Sequence, residues 1–345
     1  MPKRLRVIGG TMSPYTRKMV ALLRYRHIPY QIIWGDLNQK LPELGIEKPK
    51  PVLYPVFLIP DENDQEVATI DSTPIIRVLE GMYECRSVLP DDPVLNFINY
   101  LLEDFGDEWV VKYMFHYRWT NERDISEARS KLIYSSAISA PEDIVGQFAK
   151  MFGERQINRL FRVGSNDTTA PLIEASYKRF LALMGKHIET QPFMLGTRPS
   201  SADFALYGQL TQLIAEDSTP RQIAHDISRR TVSWVDVMED QSGIDLDKTS
   251  WNDSDNLPGT LVEVLREVGR TYVPTMIANG MAALAGEQNW SCKVDGAVWE
   301  QPVNIYQAKT LGWVRDEYRK LNASDRDQVM AILRATDCEK IVEDS

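Results

Sequence analysis

Cysteine is scarce in this 345-residue chain, and the three that occur, Cys85, Cys292 and Cys338, are far apart. No CxxC pair exists, which removes the usual signatures of disulfide exchange and of cysteine-ligated zinc. The odd, scattered count fits a reducing compartment. The four histidines, His27, His116, His187 and His225, show no metal-ligand spacing, so no metal is expected. Apolar runs of about 18 residues are missing too, and no membrane-spanning helix is expected. Met1-Pro2-Lys3-Arg4-Leu5-Arg6 is basic but lacks the apolar stretch of a secretory signal, so a cytoplasmic location is expected. Positive charge is in deficit, 39 Lys and Arg against 49 Asp and Glu. The net −10 argues against non-specific nucleic-acid binding. Internal repeats and low-complexity segments are absent. The rest is ordinary: 43% hydrophobic and 26% charged residues describe a soluble globular chain of two or three domains.

Chemistry-bearing pattern begins near the start. A strand candidate, Leu5-Arg6-Val7-Ile8, is followed by Ser13-Pro14-Tyr15-Thr16, which opens a helix candidate from Pro14 to Tyr25 with Met19, Val20, Leu22 and Leu23 as apolar positions. Serine is a favoured N-cap and proline a favoured first helical residue, so capping alone accounts for the Ser-Pro pair. The same helix start, with its free N–H groups and positive dipole end, also favours a thiolate over a thiol. Here the turn offers a hydroxyl and no sulfur, so any sulfur must arrive with a ligand.

Downstream, Tyr54-Pro55-Val56-Phe57-Leu58-Ile59 is an apolar, β-rich run. A turn at 60–64 leads to a second strand candidate, Glu66 to Ile70, then Asp71-Ser72-Thr73-Pro74 and a helix from Ile75 to Met82. A loop with Pro90, Asp91, Asp92 and Pro93 punctuates the chain. Helices are expected over Val94–Trp119, Pro141–Phe161, Pro171–Ile188, Ser200–Ile214 and Pro220–Met238. In Gly196-Thr197-Arg198-Pro199-Ser200-Ser201-Ala202-Asp203, Ser200 and Asp203 have the spacing of a reciprocal helix cap. A polar linker over 245–258 precedes helices expected at Leu261–Ala285, Gln307–Leu321 and Asp325–Leu333, with a hairpin over Trp290–Val303 turning at Asp295-Gly296. The acidic group Glu103, Asp104, Asp107 and Glu108 reads as a solvated helix start.

Together, the Ser13-Pro14 turn, the Pro55 strand, the Asp71-Ser72 helix start and the Gly196–Asp203 cap resemble the glutathione S-transferase superfamily. The resemblance implies an α/β thioredoxin-like N-terminal domain over 1–85 and an all-α domain over 94–243. A mixed α/β extension over 246–345, mainly helical with a hairpin, exceeds what the family core requires. It implies glutathione as co-substrate and a small electrophile as partner, with detoxification chemistry, a homodimer, and neither metal, nucleic acid nor membrane.

The site residues follow from the same resemblance. Ser13 occupies the catalytic serine or cysteine position, with Tyr15 ranked second and Thr11 third. Pro55 is expected in the cis form, leaving the Tyr54 main chain to pair with the ligand's cysteine residue. Tyr54 departs from the aliphatic residue usual there, and Pro51 is a competing proline. Asp71 and Ser72 would hold the γ-glutamyl end, although Thr73 as N-cap with Pro74 first also explains that helix start. Lys40, Lys48 and Lys50 are unranked cations for the glycine carboxylate. Tyr15, Trp109, Tyr113 and His116 would wall an electrophile pocket, yet the spacing of the last three equally describes a buried helix face. The leading reading is an enzyme that ionises bound glutathione for attack on an electrophile or peroxide. The alternative is a non-catalytic glutathione-binding or protein-interaction module; exchange through a cysteine of its own is excluded by Ser13 and Thr16.

Overall fold

The computed structural model describes residues 4–343. Near its start, strand β1 (Leu5–Gly9) alternates its side chains between two buried layers, then a sharp turn delivers helix α1 (Pro14–Tyr25), which covers one face. Strand β2 (Tyr30–Trp34) returns parallel to β1, and helix α2 (Leu37–Glu43) packs Leu37 and Leu41 on the opposite face. Strands β3 (Val56–Pro60) and β4 (Glu66–Thr69) complete a sheet of order β2-β1-β3-β4, with β3 antiparallel to both neighbours. Helix α3 (Ser72–Met82) closes the unit. The sequence reading missed β2 and α2. Neither carries a strong period: β2 is a half-buried edge strand of five residues, and α2 contains Pro42.

A long helical region follows. Helix α4 (Pro93–Phe105), capped by Asp92, continues through a wide turn at Gly106–Val110 into α5 (Val111–Thr120). The single helix expected there is therefore one helical path with a widened turn, at which Gly106 passes close to Ala205. Helix α6 (Glu122–Tyr134) was not expected; it buries only Asp124 and Ala128, so its apolar periodicity is faint. Helices α7 (Glu142–Ile157), α8 (Ala170–Thr190), α9 (Ser201–Leu210), α10 (Ser218–Ile227) and α11 (Arg229–Met238) complete the region. The reciprocal cap of α9 is in place. The Ser200 hydroxyl and N–H donate to the Asp203 carboxylate at 2.8 and 2.9 Å, and the Met194 N–H donates to it at 2.8 Å.

The extension begins with α12 (Gly259–Glu267) and α13 (Val273–Leu284), joined by another wide turn. Strands β5 (Asn289–Val294) and β6 (Ala297–Pro302) form the hairpin, its Asp295-Gly296 turn having positive φ at both residues, as a type I′ turn requires. Helices α14 (Ile305–Lys320) and α15 (Ala323–Arg334) lie against α4. The result is a thioredoxin-like α/β domain, an all-helical region and a mixed α/β extension. One continuous apolar core runs from α1 through the helical region to α15. Among the described residues no helix is long and apolar enough to cross a membrane.

One contact sets how the α/β unit meets the helices. At Gly208, helix α9 crosses α1 so closely that a Cβ would lie 2.5 Å from the Pro14 carbonyl oxygen and 3.0 Å from Cβ of Lys18. The clash is with backbone, which cannot swing aside. Gly208→Ala is expected to cost about 1–3 kcal/mol through overpacking. A urea midpoint equal to that of the parent protein would contradict this crossing.

Candidate functional site

Pairing of Ile8 with Val56 sets the end of β1 beside the start of β3, so the turns leaving one and entering the other are neighbours. Ser13 N-caps α1, its Oγ accepting the Thr16 N–H at 3.2 Å. The hydroxyl proton is used in no hydrogen bond among the described residues. Across the turn, the Tyr54–Pro55 bond is cis, and so is Lys50–Pro51. Tyr54 lies just outside the β3 ladder, and its N–H and C=O pair with no other backbone group among the described residues. The ring lies against Gly10, where a Cβ would stand 3.7 Å from it, an ordinary contact. The phenol donates to the Gly35 carbonyl at 2.6 Å.

The third edge of this concavity is the start of α3. Asp71 holds φ at +82°, a left-handed conformation rare for a residue with a side chain, and its carboxylate makes no capping hydrogen bond. Instead, its Oδ2 accepts the phenol of Tyr306, from α14, at 2.8 Å. Burial pushes the Asp71 carboxyl up, against the Tyr306 hydrogen bond and the charges of Lys18 and Lys309. Ser72 is buried, its Oγ accepting the Lys18 ammonium at 3.1 Å. Thr73 is not the cap: its hydroxyl donates to Glu103 Oε1 at 2.9 Å, and Asp71 and Ser72 open the helix.

Behind this edge lies a buried charge cluster. Lys18, within α1, donates to Glu103 at 2.9 Å and Asp107 at 2.6 Å as well as to Ser72. Glu103 also accepts Arg77 and the Ser201 hydroxyl, both at 2.7 Å. Asp104 accepts the phenol of Tyr272, and the Glu108 carbonyl accepts Gln307. The expectation that Glu103, Asp104, Asp107 and Glu108 form a solvated helix start is overturned, since all four are buried. Their partners come from α1, α3, α9, the turn before α13, and α14, which no local window brings together. Burial pushes Asp104 up to about 7 and Asp107 to about 6, while Arg77 and Lys18 outweigh burial at Glu103 and hold it near 2.

Other sequence-predicted residues fall elsewhere. The phenol of Tyr15 donates to the Asp107 carbonyl at 2.9 Å, and burial beside Asp107 and Glu108 keeps it protonated. Thr11 contributes a carbonyl to Gln212. The pocket-wall expectation for Trp109, Tyr113 and His116 is corrected. Trp109 and Tyr113 are 0% exposed, Trp109 donating to Tyr113 at 2.8 Å and packing on Trp299 of β6 at 5.1 Å between ring centroids. Buried His116 meets Ser165 at 2.9 Å and Glu174 at 3.5 Å. Trp299 of the extension covers Trp109, while α8 and the segment before it cover Tyr113 and His116, so this face is core. Lys40 is paired with Glu43 at 2.8 Å, and Lys48 donates to Asn38 at 3.3 Å. Among the described residues no group of three potential metal ligands occurs.

Sequence reasoning missed Lys18 and Tyr306. Lys18 left a trace, standing one turn before Leu22 on the apolar face of α1. Tyr306 left none, because nothing local ties it to Asp71, 235 residues away.

Against known proteins, the family described as glutathione S-transferase, N-terminal domain, matches residues 8–87. No curated protein matches the chain. Solved structures that resemble it include a glutathione transferase family member from Pseudomonas fluorescens Pf-5 with two glutathione bound. It is 17% identical, over 69% of this chain and 88% of that one, with a TM-score of 0.43. A glutathione transferase from Pseudomonas putida with one glutathione disulfide per subunit is 15% identical, over 69% and 86%, with a TM-score of 0.42. FzlA from C. crescentus is 14% identical, over 68% and 86%, with a TM-score of 0.41. Likenesses this distant assign no role to any residue of the chain.

Two outcomes are expected from the charge cluster. Lys18→Met strands Asp107 as an unpaired buried charge and leaves Glu103 with Arg77 as its cationic partner. It is expected to cost about 3–5 kcal/mol by chemical denaturation, and a loss under about 1 kcal/mol would contradict the arrangement. Asp104 titrates in the folded state above its ordinary 3.8, so its favourable contribution is complete at low pH and is lost as pH rises through about 7. Asp104→Asn is therefore expected to lessen the fall in urea midpoint between about pH 5 and pH 8. An equal fall in both proteins would show that Asp104 does not titrate there.

Proposed function

The chain carries, over residues 8–87, an N-terminal domain of the glutathione S-transferase superfamily, and from that premise we propose that it binds glutathione and ionises its thiol for attack on an electrophile or a peroxide. The observation that carries this reading is the meeting of three unspent polar groups at one end of one sheet. They are the Ser13 hydroxyl proton at the start of α1, the main chain of Tyr54, which pairs with no backbone group among the described residues, and, at the start of α3, the capacity left on the Asp71 carboxylate beyond its bond from Tyr306. In this reading the cysteinyl residue of glutathione adds to Tyr54 as one more extended strand. Asp71 takes the γ-glutamyl ammonium, and the N–H groups opening α3 take the adjoining carboxylate.

Ser13 then donates to the sulfur. A free thiol has a pKa of about 8.5, and a charge-assisted hydrogen bond of about 1.5–3 kcal/mol is enough to ionise most of it at neutral pH. In conjugation the thiolate pair forms a C–S bond as the leaving group departs with its own electron pair, and solvent takes the thiol proton. No cysteine of the chain competes for this role. Cys85 lies beyond the far end of α3, and burial keeps the thiols of Cys292 and Cys338 protonated.

Ultraviolet thiolate absorbance on titration with glutathione at neutral pH tests the proposal. The parent protein is expected to give a saturable signal, and Ser13→Ala to lose most of it, about tenfold in thiolate-to-thiol ratio, while still binding. Binding without a thiolate signal in the parent would favour the binding-module alternative, and an undiminished signal in Ser13→Ala would remove Ser13 from the chemistry.

A further inference from the structure

We infer that the C-terminal extension forms part of the ligand site, with Tyr306 of α14 holding the Asp71 carboxylate in position for the ammonium of a γ-glutamyl ligand. This rests on the glutathione reading and adds to it a positioning residue from outside the matched domain.

The start of α14 is anchored. Asn304 caps it, its side chain accepting the N–H groups of Tyr306 and Gln307 at 3.0 and 3.3 Å. Asn304 is in turn clasped by Asn279 of α13, through its N–H at 2.7 Å and its carbonyl at 2.8 Å. Gln307 ties the same turn to the Glu108 carbonyl. Tyr306 thus projects from a fixed base, still 42% exposed, and spends its hydroxyl proton on Asp71 across 235 residues of sequence.

Asp71 has need of such a partner. Its backbone has positive φ, and its side chain makes no capping hydrogen bond of ordinary geometry to α3. Tyr306 engages Oδ2, and the Thr73 N–H and the charges of Lys18 and Lys309 also favour the charged form of the carboxylate. Lys309, one turn further along α14, lies 4.4 Å from the ring centroid of Trp313 and 5.9 Å from that of Tyr306, and makes no ion pair among the described residues. An oriented carboxylate with the Lys309 ammonium near it complements a zwitterion, the form of a γ-glutamyl head. A plain thiol or a peptide with a blocked amino group lacks half of that pattern.

Calorimetric titration with glutathione and with N-acetylglutathione, which lacks the ammonium, tests the assignment on the full chain. Tyr306→Phe is expected to weaken glutathione about tenfold, the worth of one hydrogen bond to a charged group, and to leave N-acetylglutathione within about twofold. Asp71→Asn with Tyr306→Phe is expected to bind glutathione no more weakly than Asp71→Asn alone, because the tyrosine acts only through the carboxylate. An unchanged preference for glutathione over its acetylated form in Tyr306→Phe overturns the inference, as do losses that add in the double variant. A parent protein that binds neither compound overturns the glutathione reading itself. A parent that binds both while Tyr306→Phe changes nothing overturns only the role of α14.

Discussion

A single ammonium, that of Lys18, joins the parts of this molecule where water does not reach. It rises from α1, takes the hydroxyl of Ser72 at the start of α3, and meets the carboxylates of Glu103 and Asp107 on the helical side. A buried lysine is tolerable only when its charge is answered, and a buried carboxylate likewise, so each partner holds the others in place. The geometry of the α3 start is thereby coupled to α4. Shifting α4 relative to the sheet would leave charge stranded on both sides.

That coupling also explains why the cluster stands next to the candidate site without being the site. Its polar atoms are largely committed to one another, and the groups left with capacity lie just beyond it: the Ser13 proton, the Tyr54 main chain and the Asp71 carboxylate. The cluster supplies rigidity and an electrostatic background. Burial raises the carboxyl groups at Asp104 and Asp107. An incoming cation meets a favourable field at Asp71, whereas a free thiolate depends on the local donor at Ser13 and on the start of α1.

The extension changes what the helical region can do. Trp299 lies against Trp109, Tyr272 donates to Asp104, and α14 and α15 cover α4, so a helix face that would otherwise be open becomes core. Trp109 is thereby sealed from solvent, whereas Tyr113 and His116 are covered by the helical region itself, chiefly α8. In exchange, α14 brings Tyr306 and Lys309 to the rim at Asp71.

Much of the fold was legible because its signals are local. Ser13-Pro14 caps a helix, Asp295-Gly296 closes a hairpin, and Ser200 with Asp203 closes a helix start; each needs only neighbours three or four residues away. Strand β2 and helices α2 and α6 were not legible, since an edge strand and half-exposed helices leave little apolar period. The sequence by itself determined the order of the elements with a clear apolar period or cap and the residue types at the Ser13, Tyr54 and Asp71 turns. Only the tertiary structure decided whether the acidic residues of α4 and its following turn meet water or Lys18, whether Trp109 lines a cleft or a core, and what stands over Asp71. Those outcomes depend on which distant segments arrive at each helix face, and burial of charge is a property of the assembled layers rather than of any one stretch of chain.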